Sequence, residues 1–181
     1  LEAASTHELD ARETALLAVL RGRLRCWAGD ARGALPLYER ALELARADEL
    51  PQERTLSLLE LGKACLAAGE PLRALGVLAA ARDEAAQRGL ARLEALSRGY
   101  VAHLEATVRT SDAPLVELEA ARARAEAAGF VDEALELAQL VAEHAARRGE
   151  LEAASELELR ASRLGQSRIA SSARRLASRP R

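Results

Sequence analysis

The sequence predicts an all-α chain folded as a stack of about four antiparallel helix hairpins. Composition, an internal repeat and the placement of glycine carry this expectation. The hydrophobic fraction is 49%, supplied mostly by Ala and Leu, while aromatics reach only 2%. Ala, Leu, Arg and Glu are the strongest helix formers, whereas strands draw on Val, Ile, Thr and large aromatics. Sliding the sequence by 40 residues aligns it with itself. Gly29, Gly69 and Gly149 coincide, with Arg109 as the exception, and so do Ala34, Ala74, Pro114 and Ala154. Ala41, Ala81, Ala121 and Ala161 form a further column, as do Leu50, Leu90 and Phe130. A repeat of this kind is the mark of a solenoid.

Each repeat reads as two helices, A and B. Gly29, Gly69 and Gly149 suit the left-handed cap of helix A, and Asp30, Glu70 and Glu150 then favour the positive end of helix B. Pro71 fits a first-turn position, where its missing N–H costs nothing. Gly89 and Gly129 end the B helices in the same way. Helices A are expected near 11–28, 52–68, 91–108 and 131–148, and helices B near 31–47, 71–88, 112–128 and 151–164. Pro36 lies inside the first B helix and predicts a kink or a late start. The small Ala columns predict close helix approach, and Tyr38 and Tyr100 fall at packing columns. The domain reading is a repeat region over 1–165, with units of about 11–50, 51–90, 91–130 and 131–165, followed by 166–181 as capping helix and basic tail.

Composition also bounds function. The charged fraction is 30% with a net charge of -2, which fits solvated helix faces and argues against a nucleic-acid footprint. Lys63 is the only lysine. The longest apolar runs fall well short of the ~20 residues that span a bilayer, and the first ten residues are too polar for a signal peptide. The expected location is cytoplasmic, and no membrane partner is expected. Cys26 and Cys65 read as small core residues. No methionine occurs, so the chain is expected to be a piece of a longer polypeptide.

The columns resemble the tetratricopeptide repeat. The second unit carries the pattern best, with Leu58, Leu61, Gly62, Cys65, Ala74, Leu78 and Ala81. The first keeps Gly22, Ala34, Tyr38 and Ala41 but has Ala18 and Arg21 where large residues are preferred. The third has Val101, Leu118 and Ala121, with Ala102 for the glycine. The fourth has Val141, Ala142, Ala154 and Ala161, broken by Glu158. The resemblance implies a right-handed superhelical stack. The long unit is similar to those in C-terminal repeat regions of large bacterial regulators, including multidomain ATPases and Ser/Thr kinases.

The resemblance further implies that helices A line a concave groove. One groove column then holds Arg23, Lys63, His103 and Glu143. Beside it lie Leu16, Leu56 and Leu96, and then Val19, Leu59, Gly99 and Gln139. A basic line beside an apolar strip suits an acidic protein or peptide segment with apolar anchors, or another domain of the same chain. Trp27 is a candidate binding anchor or a seal at the edge of the stack. Val19 and Arg23 occupy positions where a carboxylate clamp needs Lys and Asn, which excludes that partner class.

No catalytic, cofactor-binding or metal-ligating residues are expected. His7, His103 and His144 have no second ligand at helical spacing, and no phosphate loop or nucleophile motif occurs. The expected function is therefore a non-catalytic protein-interaction scaffold in a bacterial signalling protein. Two alternatives stay open: a ligand-sensing regulatory domain, with Gly99 and His103 as the nominated spot, and self-association through apolar edges. The acid-free stretch from Arg160 to Arg181 reads as a capping helix near 167–177 plus tail, or as an arm for nucleic acid or acidic lipid.

Overall fold

The computed structural model describes residues 10–47, 49–108 and 112–150, together with positions 155, 156, 159, 162 and 163. Among the described residues there is no strand. The helices are α1 (Ala11–Trp27), α2 (Ala31–Ala47), α3 (Pro51–Ala67), α4 (Pro71–Arg88), α5 (Ala91–Val108), α6 (Ala113–Ala127) and α7 (Val131–Arg147). The expected last B helix at 151–164, the capping helix and the tail lie outside the continuous described residues. None of the described helices is long and apolar enough to cross a membrane.

Local signals account for the helix ends. Asp10 opens α1 with a capping box: its Oδ1 accepts from the Glu13 N–H at 2.7 Å, and Glu13 Oε2 accepts from the Asp10 N–H at 3.1 Å. Pro51 and Pro71 stand at the first positions of α3 and α4. Asp30 caps α2 by accepting from the Gly33 N–H at 2.8 Å. Its carboxyl is held below the usual range, first by the Arg25 guanidinium and then by this backbone bond. Pro36 does not delay α2, which starts at Ala31 and runs through it. The cost is the bond that would otherwise reach the Arg32 carbonyl.

Five helices end alike. In α1 the Asp30 N–H reaches the Arg25 carbonyl and the Gly29 N–H reaches the Cys26 carbonyl, and the same pair of bonds recurs after α3, α4, α6 and α7. The turn residues Gly29, Gly69, Gly89, Gly129 and Gly149 all have φ between 66° and 82°. After α2 the same motif is built on Glu49, at φ 52°, the one non-glycine residue there. Side chains resist that conformation, so this turn stores strain its counterparts lack.

The chain divides into two compact units, residues 1–93 and 94–181. In the first, α1 packs on α2, α2 on α3, α3 on α4, and α1 also meets α3. Its core holds Tyr38, Leu59, Leu78 and Cys65, with the columns Ala34, Ala74, Ala41 and Ala81 fully buried. In the second, α6 packs on α7, and α5 meets α7 through Tyr100. Leu118, Leu137, Ala121 and Ala125 are fully buried there. Burial of each such leucine stabilises its unit by about 1.5–3 kcal/mol.

Candidate functional site

Within each unit, side chains tie one A helix to the next, and this decides what the helices can present. In the first unit, Arg12 Nε donates to Glu53 Oε1 at 2.5 Å and Arg23 to Glu60 Oε1 at 2.6 Å. Both carboxylates belong to α3 and are nearly buried, while both guanidiniums come from α1. Lys63 Nζ stands 3.9 Å from the same Glu60 oxygen. Glu60 thus meets two cations of the expected basic line.

In the first unit part of the expected groove set stays accessible. Leu16, Arg23 and Trp27 on α1, with Leu56 and Lys63 on α3, keep exposed or half-exposed side chains. Val19 and Leu59 do not: they are 2% and 1% exposed and belong to the core. The reason lies in the packing of α1, which buries Ala15, Val19 and Gly22 against α2 and α3. Tyr38 explains the close approach at Gly22, where a Cβ would lie 2.6 Å from the ring.

In the second unit the expected groove residues Leu96, Gly99 and His103 are all buried. Gly99 faces the Leu137 side chain so closely that a Cβ would collide with it. His103 Nδ1 lies 3.1 Å from His144 Nε2, and the two rings meet edge to face with centroids 4.9 Å apart. Burial pushes His103 down to about 4, helped by the neighbouring His144 and Arg147 charges, and burial likewise lowers His144. The pair is neutral near pH 7. The spot nominated for a small ligand is therefore filled by Leu137 and an imidazole. His144 is a core residue.

The histidine pair joins two helices, so spacing within either helix does not reveal it. The usable signal is an offset: Arg12–Glu53 and His103–His144 are both 41 residues apart, one more than the repeat. Tyr100 and Glu136 make a further cross-helix pair, the hydroxyl donating to Oε1 at 2.5 Å. Among the described residues no group of three or more His, Cys, Asp or Glu is placed to hold a metal ion. A shallow depression between α2, α3 and α4 is lined by Arg46, Leu50, Arg54 and Arg88 among others. Glu84 answers its Arg54 at 2.5 Å.

No family model and no curated protein matches the sequence. Solved structures do. A Rap protein complexed with Competence and Sporulation Factor superposes with a TM-score of 0.74 at 16% identity, over 87% of this chain and 45% of its own. Aspartyl phosphate phosphatase F from Bacillus subtilis superposes with a TM-score of 0.63 at 13% identity, over 89% of this chain and 51% of its own. The chain thus spans about half the length of each. TPR-like repeats of a kinesin light chain from Podosopora anserina align over 90% of this chain at 16% identity, with a TM-score of 0.41, too loose to weigh. The consecutive helix pairs, the small-residue columns and the first two superpositions give the chain a tetratricopeptide-repeat-like, all-helical fold.

Proposed function

We propose that the chain is a non-catalytic protein-interaction scaffold of a cytoplasmic bacterial regulator. Its partner segment lies on the paired A helices of the first unit. The observation that supports this most is the preformed surface on α1 and α3. Two cross-helix ion pairs hold these helices in register, and Leu16, Trp27 and Leu56 keep exposed or part-exposed side chains on them. A surface built before binding loses little freedom when a partner arrives. The basic residues Arg23 and Lys63 on these helices suit a partner with an acidic residue next to apolar anchors.

The Rap protein of like fold was solved with Competence and Sporulation Factor bound, which fits a fold that receives a partner. The phosphatase of like fold transfers no activity at 13% identity.

The test is capture from the source lysate by wild type and by Leu56→Gln/Lys63→Gln, with circular dichroism confirming that the variant folds. A protein kept by wild type and lost by the variant supports the reading. Equal retention removes the partner from α3, and no retained protein sinks the scaffold role toward a separate partner.

A further inference from the structure

The depression at the junction of the first two repeats lies wholly within the first unit, where the ends of α2 and α4 flank the start of α3. Its volume is about 380 Å³, at the small end of the roughly 300–1,000 Å³ that ligand cavities occupy. Three guanidiniums line it: Arg46 from the last turn of α2, Arg54 from the first turn of α3 and Arg88 from the end of α4. Among the described residues Glu49 is the one carboxylate in the lining.

Helix formation does not explain this set. Arg46 and Arg88 stand at helix C-termini, where a cation is favoured, but Arg54 stands at an N-terminus, where the helix dipole opposes it. The repeat does not call for these arginines either. One unit further on, the three columns read Ala86, Glu94 and Ala128, and one unit earlier Arg54 aligns with Thr14. Columns that build the hairpins recur, as Ala34 with Ala74 and Ala41 with Ala81. Glu49 also departs from its column, which holds Gly89 and Gly129 in the next two units.

Glu84 places the central arginine. Its Oε1 accepts from Arg54 Nε at 2.7 Å and from a terminal nitrogen of the same guanidinium at 2.5 Å. With its own side chain only 11% exposed, Glu84 fixes Arg54 before any ligand arrives. The other terminal nitrogen of Arg54 is left to donate. Arg88 Nε stands 3.9 Å from the same Glu84 oxygen, too far for a hydrogen bond. Arg46 has no ion pair among the described residues.

A guanidinium held in place, with two more around it, suits an oxyanion, whose oxygens take its forked N–H donors. Glu49 repels an anion set against it but accepts from a hydroxyl. Together these groups select a small molecule with an oxyanion at one end and hydroxyls at the other. We propose that the depression binds such a hydroxylated oxyanion, a phosphate monoester or a carboxylate, through Arg46, Arg54 and Arg88, with Glu49 on its hydroxyls. The proposal is independent of the scaffold reading, whose variant residues are Leu56 and Lys63.

The test titrates the chain with glycerol phosphate and with glycerate at constant ionic strength, following the arginine Nε–H resonances. Saturation with a Kd on the order of 1 mM or tighter is expected from at least one probe, and the tighter of the two names the oxyanion. Glycerol, which has hydroxyls and no oxyanion, should not bind. Arg46→Gln/Arg88→Gln should weaken binding about tenfold or more. Arg40→Gln removes the same charge from an exposed pair on α2 and should leave binding unchanged. Circular dichroism checks the double variant, and Arg46→Gln alone serves if its helices are lost. No saturation by either probe up to ~20 mM, equal binding by the double variant, or an equal loss in Arg40→Gln would overturn the proposal.

Discussion

The contacts α1–α3 and α5–α7 solve the same problem with opposite chemistry. In each, a residue of one A helix meets a partner 41 positions later. The first contact holds Arg12 on Glu53, and the second holds His103 against His144. The first is charged and reaches solvent through its arginines. The second is neutral, buried and packed beside Gly99 and Leu137. One register thus accepts an ion pair or an imidazole pair, but the two respond differently to cavities, protons and lost charge.

The largest difference should come from a cavity. Leu137→Ala removes a fully buried side chain that fills the space left by Gly99. A loss of about 4 kcal/mol is expected, seen as a lower urea midpoint for the second unit. Faster amide exchange should be confined to α5–α7.

Acid comes next. The folded value of His103 lies near 4, below its unfolded value of 6.5, so the unfolded chain binds the proton more readily. The stability this group contributes is complete above pH 6.5 and is lost as the pH falls toward 4. The loss amounts to roughly 3 kcal/mol, and the lowered His144 adds in the same direction. Amide exchange followed from pH 7 to pH 4 should show α7 opening before α3. His103→Leu with His144→Leu should flatten that window. Equal acid response in α3 and α7 would end the comparison.

Charge removal should act on the other contact. Arg23→Met keeps the aliphatic stem but takes the guanidinium from the nearly buried Glu60, leaving Lys63 at 3.9 Å. About 2 kcal/mol should be lost, less than for a fully buried pair because Arg23 is part-exposed. Adding Glu60→Gln should return part of it in a double-mutant cycle.

The smallest expected change is a gain. Glu49→Gly relieves the left-handed turn after α2 and should raise the first unit's melting temperature by a few degrees, for about 1 kcal/mol.

These contacts mark how far the sequence could be read. Among the described helices, most ends were legible to within a residue or two because a glycine, a proline or an acidic cap writes them locally. The buried alanine columns were legible because the repeat lines them up. Face assignment was harder. Val19, Leu59, Leu96 and His103 fall on the groove side of an idealised helix A, yet these A helices also pack along that side on their neighbours. The partners of His103 and Arg12 were hidden for a related reason. A contact between these helices joins different columns, at an offset of 41 for these two pairs and of 37 or 36 for Arg23–Glu60 and Tyr100–Glu136, so repeat alignment at 40 passes it by.

Lys63 has a consequence for covalent chemistry. As the single lysine of the chain, it is the only side-chain primary amine, and it stands on α3 beside Glu60. An amine-directed crosslinker that joins a side chain of this protein to a neighbour therefore reports distance to one point on one helix. Acetylation has a single side-chain target, and it would leave Glu60 to Arg23.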